Sequence, residues 1–226
     1  ISRRQNNTRA DENLHWLRHH TGVHLHTDLI VGLPGESLAS IESGFNRLVA
    51  LKPHEIQVGL LKRLRGAPIA RHESTHRLVF SPVPPYTLLA SDELDFPTMQ
   101  RMTRFSRYWD MIANSGRFNT TLPLILGNSP FARFLKLSDA LYDNAHQTHG
   151  IALPRLFNQL FRIMIESLGV SIDESTVVLH TDFASSGLKG RPVFSPHALD
   201  SPNLHRATHS HPRQQRHAAA DDQSIS

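Results

Sequence analysis

An aspartate, two glycines and a proline stand close together in residues 26–37, HTDLIVGLPGES. Asp28 lies within an apolar run, and an ionised carboxylate in a buried strand is costly unless it is paired or hydrogen-bonded. It therefore calls for a partner, and ligand hydroxyls at the end of a parallel strand would serve. Gly32 and Gly35 permit positive φ and close backbone approach in a Gly-Leu-Pro-Gly turn. In barrels and open α/β sheets, ligands gather at the C-terminal ends of the strands, where this turn falls. The plainer alternative has Asp28 bonding to neighbouring backbone and the glycines making only a tight turn. These residues alone leave both readings open.

Other candidates are weaker. Asp110 and Asn114 are neighbours at i, i+4 on a helical stretch with Tyr108 and Trp109, and could meet a substrate. Tyr108 and Trp109 themselves read as core. Glu36 reads as a favourable charge at a helix N-terminus, and Lys62 as a solvated rim residue. His15 and His19 have the i, i+4 spacing of a metal pair but lack a third ligand, so a surface helix is the better reading. His146 and His149 suit a helix C-terminus. His205, His209, His211 and His217, in the tail, suggest no designed site.

The elements that would position these groups follow from periodicity. A helix runs to about His20, with Leu14, Trp16 and Leu17 as a partly apolar face and a start signal in Thr8 and Asp11. Residues 23–31 read as a buried parallel strand. Ser37 caps a helix whose Ile41, Phe45, Leu48, Val49 and Leu51 share a face, and Pro53 lies beyond its end. Residues 55–61, EIQVGLL, form a second strand, and the order of helix, strand, helix, strand implies a parallel sheet. The proline-rich FSPVPPY at 80–86 reads as an extended connection. Met99, Met102, Phe105, Tyr108, Trp109 and Ile112 mark a helix from Pro97 to the break at Asn114, Ser115 and Gly116. Two more amphipathic helices are predicted over 131–146 and 153–168. The expected class is α/β, then mostly α: an α/β part over 1–75, a helical domain over 76–184 and a disordered tail over 185–226.

Composition bounds the rest. With 226 residues and 39% hydrophobic content the chain can bury a core, and no apolar run reaches the ~20 residues that cross a bilayer. No N-terminal signal pattern is present, so the cytoplasm is expected. The absence of cysteine removes disulfides and thiolate metal sites from these residues. The opening at Ile1, in a polar segment, points to a fragment. The formal charge of +4 arises partly from Arg and His residues of the tail, without a basic block interleaved with aromatics, so nucleic acid is not expected as a partner.

HTDLIVGLPGES resembles the strand-and-loop segment of radical S-adenosylmethionine (SAM) enzymes, notably the coproporphyrinogen dehydrogenase-like and cobalamin-binding branches, where an Asp-Leu-Ile-x-Gly-Leu-Pro-Gly run forms a late strand of a partial (β/α) barrel. EIQVGLLKRLRGAPI resembles the following strand, with Ala67 where Thr is usual. MTRFSRYWDMIANSGRF and residues 131–151 resemble the C-terminal domain of uncertain function that follows the barrel in one cobalamin-binding subfamily. The resemblance spans roughly residues 8–183. It implies that Asp28 contacts the SAM ribose, that the backbone at Leu60 and Leu61 lies along the adenine, and that Gly32, Leu33, Pro34 and Gly35 shape the floor. It also implies a 4Fe–4S cluster held by upstream cysteines, a possible upstream cobalamin domain, an unknown substrate, and a reductant such as a ferredoxin or flavodoxin. The competing expectation is a non-catalytic basic helical module that binds a protein or RNA.

Overall fold

The computed structural model describes residues 6–195. The described residues form two compact units, divided between Ser106 and Arg107, the first α/β and the second helical. The division falls inside one helix.

The first unit opens with α1 (Asn7–His20), capped by the Asn6 side chain, which accepts the Arg9 N–H at 3.0 Å. Asn6 thus takes the role expected of Thr8. No α1 residue is buried, and Trp16 is 55% exposed, so the expected apolar face meets no core. Polar ties attach the helix instead. Arg47 of α2 (Leu38–Ala50) grips the Asp11 carboxylate with Nε at 2.7 Å and Nη2 at 2.6 Å, and Arg18 Nε donates to the Lys52 carbonyl at 3.0 Å.

Between these helices lies β1 (His26–Val31), paired in parallel with β2 (Glu55–Leu60) from His26↔Glu55 to Val31↔Leu60. The strand is shorter than expected, because residues 21–25 take no strand pairing. Helix α2 is the crossover: Ser37 Oγ accepts the Ser40 N–H at 3.3 Å, and Ile41 and Phe45 are buried. Phe45 meets Phe105 edge to face at 5.1 Å. The outer edge of β1 pairs with no strand among the described residues.

Past β2, a short 3-10 helix (Pro68–His72) leads to a small hairpin of β3 (Val79–Phe80) and β4 (Leu88–Ala90). The FSPVPPY stretch is the turn of this hairpin, not a plain connection. The hairpin docks on the sheet's end, where Leu88 N–H donates to the Leu61 carbonyl at 2.8 Å and Lys62 bridges Thr87 antiparallel.

Helix α3 (Phe96–Ile112) begins in the first unit and ends in the second. In the second unit follow α4 (Leu122–Leu126), α5 (Pro130–Ala145), α6 (Leu153–Glu166) and α7 (Ile172–Ser185). Tyr108, Phe134, Leu137, Phe157, Leu160 and Leu179 are completely buried there. The chain beyond Ser185, expected to lack structure, is packed as far as Phe194, which is 3% exposed and lies 5.5 Å from the Phe161 ring. The tail from residue 196, with His205, His209, His211 and His217, lies outside the described residues. No helix among the described residues is long and apolar enough to cross a membrane.

Candidate functional site

Strand alternation decides where the β1 side chains go. Thr27, Leu29 and Val31 turn to one face, where the Leu29 methyl comes within 3.4 Å of the place a Cβ would take on Gly44 of α2. His26, Asp28 and Ile30 turn to the other, and all three are exposed. Asp28 is therefore not buried: its side chain is 66% exposed, and the cost of desolvation that demanded a partner does not arise. Its carboxylate lies 3.3 Å from His26 Nε2, which also lies 3.2 Å from Gln57 Oε1. Parallel register sets Gln57 beside Asp28 and Gly59 beside Ile30. A Cβ placed on Gly59 would meet nothing within 4 Å. The result is an open ledge, polar at Asp28 and Gln57 and apolar and flat at Ile30 and Gly59.

The turn at the end of β1 is closed by a residue given a different role by the sequence. Glu36 Oε2 accepts the Gly32 N–H at 2.8 Å and the Leu33 N–H at 3.2 Å. Burial raises the Glu36 pKa, and those two amides pull it partly back. Glu36 is thus a clasp for the turn, where a charge at the α2 terminus was expected. Gly32 has φ +94°, and a Cβ on it would stand 2.5 Å from Leu88 Cδ2. Gly35 has φ +73° and faces the His76 ring. Close approach is therefore what both glycines permit, but the neighbour is the protein's own side chain. Leu61 is spent in the same way, its N–H donating to Val31 at 2.9 Å and its carbonyl accepting Leu88 N–H. Leu60 remains half-buried and Pro34 sits in the turn.

His76 and Asp92, which sequence reasoning missed, also gather at this end. The His76 Nδ1 is 3.4 Å from Asp92 Oδ2, and Asp92 N–H donates to the His76 carbonyl at 3.0 Å. No sequence spacing signals the pair, because the hairpin brings its members together. At the opposite end of the strands, Glu55 is 8% exposed, with His26 Nδ1 at 3.4 Å. Among the described residues no group of His, Asp and Glu is arranged to hold a metal, and His15 and His19 simply stack at 4.1 Å.

In the second unit Tyr108 and Trp109 are core, as expected, at 0% and 3% exposure. Asn114 is buried at 3%, with Nδ2 donating to Asp110 Oδ1 at 3.5 Å, so of the two only Asp110 faces solvent. Two other polar groups hold this unit together. Asp182 of α7 accepts the Thr121 N–H at 2.8 Å, the Thr121 hydroxyl at 2.6 Å and the Thr120 N–H at 3.1 Å, which caps α4 from outside. Arg133 donates to the carbonyls of Ile125, Leu168 and Leu124 at 2.8, 3.1 and 3.0 Å, satisfying chain ends that lack helical partners.

A family model for proteins of unknown function, DUF4080, matches residues 74–220. The chain belongs to this family. No curated protein matches it. The DUF4080 match takes in α3 to α7, with Asp110, Asn114, Arg133 and Asp182, and the hairpin pair His76 and Asp92. It begins after β1, α2 and β2, so Asp28 and the Gly32 turn precede the DUF4080 segment.

Proposed function

We propose that this chain serves a radical SAM enzyme, and that its β1–β2 ledge receives the nucleoside of S-adenosylmethionine. The observation that carries the reading is the Asp28 carboxylate, exposed on the open face of a parallel pair and two residues along the strand from the flat Ile30–Gly59 surface. A carboxylate accepts hydrogen bonds from both hydroxyls of a ribose, and a purine finds apolar contact over Ile30. The resemblance of HTDLIVGLPGES supports the same reading. So does the DUF4080 match, which falls on the segment that resembles the domain after the barrel in a cobalamin-binding subfamily.

The residues present do not fit the cluster of that chemistry. The sequence has no cysteine, and the described histidines and carboxylates form no metal-holding group. No step through a cluster, and none through cobalamin, is therefore assigned to these residues. In an enzyme of that class, one electron from a ferredoxin- or flavodoxin-type donor would break the S–C5′ bond of bound SAM and give methionine and a 5′-deoxyadenosyl radical. The part proposed for this chain is to bind and orient: Asp28 at the ribose and the ledge beneath the base, with the Glu36-clasped turn fixing where β1 ends. Leu60 and Leu61 contribute by setting the end of β2 rather than through the Leu61 N–H, which is engaged by Val31.

The test is calorimetric titration of S-adenosylmethionine into the chain and its Asp28→Asn variant, with thermal melts of both. A charge-assisted hydrogen bond contributes roughly 1.5–3 kcal/mol, so affinity should drop about ten- to a hundredfold while the melting point holds. Equal affinities, or a wild-type chain that binds no SAM, would reject the reading.

A further inference from the structure

We propose that a groove along α6, in the second unit, binds a phosphorylated polyol such as a sugar phosphate. The helix is divided lengthwise by its sequence. Leu156, Leu160 and Ile163 are buried, while Arg155, Gln159, Arg162 and Glu166 follow one another along the other side. Asn144 of α5 and Val193 complete a groove of about 430 Å³, and Asn158 fixes its far wall by accepting the Val193 N–H at 3.2 Å.

Three features ask for a ligand. Arg155 and Arg162 line the same groove seven residues apart, about 10 Å along the axis at 1.5 Å per residue, within converging reach of two long side chains. Among the described residues neither guanidinium makes an ion pair or hydrogen bond, although Arg18, Arg47, Arg63 and Arg133 all do. Two cations facing one groove repel each other, and a dianion between them removes that cost. Finally, Gln159 Oε1 is buried in the groove without a hydrogen-bond partner, a state that costs stability until a donor arrives.

The chemistry of the lining sets the class. Guanidinium forks match phosphate oxygens in pairs of parallel hydrogen bonds. A phosphate fills only part of 430 Å³, and the remaining lining is amides and one carboxylate, the donor and acceptor set that reads hydroxyl groups. The single apolar residue, Val193, argues against a lipid or an aromatic ligand. Asp28 plays no part in this groove, so the two proposals stand or fall separately.

The experiment is calorimetric titration of the 226-residue chain, at low ionic strength, with ribose 5-phosphate, inorganic phosphate, ribose and a single-stranded RNA oligonucleotide. Ribose 5-phosphate should bind once per chain, inorganic phosphate several-fold more weakly and ribose not measurably. Arg155→Gln and Arg162→Gln should each cost about tenfold or more, with unchanged melting points because both side chains are exposed. Gln159→Leu removes the orphan oxygen, so it should melt no lower than wild type. It should lose affinity for ribose 5-phosphate but not for inorganic phosphate. Three results would overturn the proposal: no saturable phosphate-ester binding, binding unaltered in the double arginine variant, or RNA binding tighter than ribose 5-phosphate per site.

Discussion

Asp28 and Asp182 show how differently one functional group is used within a single chain. Asp28 keeps most of its acceptor capacity for solvent, whereas Asp182 is 5% exposed and spends its oxygens on Thr120 and Thr121. Asp182→Asn keeps the shape but turns an amide toward one of those donors. The expected loss is about 1–3 kcal/mol, seen as a melting point lower by roughly 2–10 °C. Burial raises the Asp182 pKa above its ordinary 3.8, against the opposing pull of the Thr121 hydroxyl and the two amides. A raised folded-state pKa means that the contribution is complete below the ordinary value and is lost as pH rises through the folded one. Wild type should therefore gain on Asp182→Asn as the pH falls from 7 toward 4. Melts at several pH values check this, and a gap that narrows on acidification would contradict it.

At the scale of elements, the Gly32 turn is the tightest feature. Gly32→Ala places a methyl 2.5 Å from Leu88 Cδ2 and forces φ +94° on a residue with a Cβ. The loss should be about 2–4 kcal/mol, and Leu88→Ala in the same chain should return only the steric share, because the backbone strain remains. A denaturant double-mutant cycle measures both parts. Elements with an apolar stripe were legible in the sequence: α2, α3, α5 and α6 end within a few residues of where periodicity puts them. Helix α7 was not, because its buried positions Ser175, Leu179, Asp182 and Phe183 are half polar, while Ile172 and Val177 are exposed. The hairpin was hidden by prolines that read as a linker. Of the candidate site, the turn and its glycines were legible from residue type. The exposure of Asp28 was not, since an apolar run does not say which face of a strand is covered. The Glu36 clasp was also missed, since its partners are backbone amides.

For the whole molecule, the consequential fact is that α3 belongs to both units. A cut at the division between Ser106 and Arg107 leaves the second unit with six residues of that helix, Arg107 to Ile112, too few to hold helical form unaided. A chain starting at residue 96 keeps the helix whole. The 96–226 chain should unfold in one cooperative transition by circular dichroism, whereas 107–226 should melt at least 10 °C lower or without a clear transition. Equal melting of the two would show that the first turns of α3 contribute nothing to the second unit.

The edge of β1 that pairs with no strand among the described residues has a bearing on quantity rather than shape. Alternate residues of this six-residue strand point amides and carbonyls away from β2 to any strand that arrives, and Ile30 on the adjoining face adds apolar area. Loss of native protein through such an edge requires two molecules to meet, so its rate grows with the square of concentration. At micromolar levels the chain should persist, while in concentrated stocks light scattering should rise with a half-time that shortens as protein is added. Lysine at Ile30 should lengthen that half-time without altering the melting point.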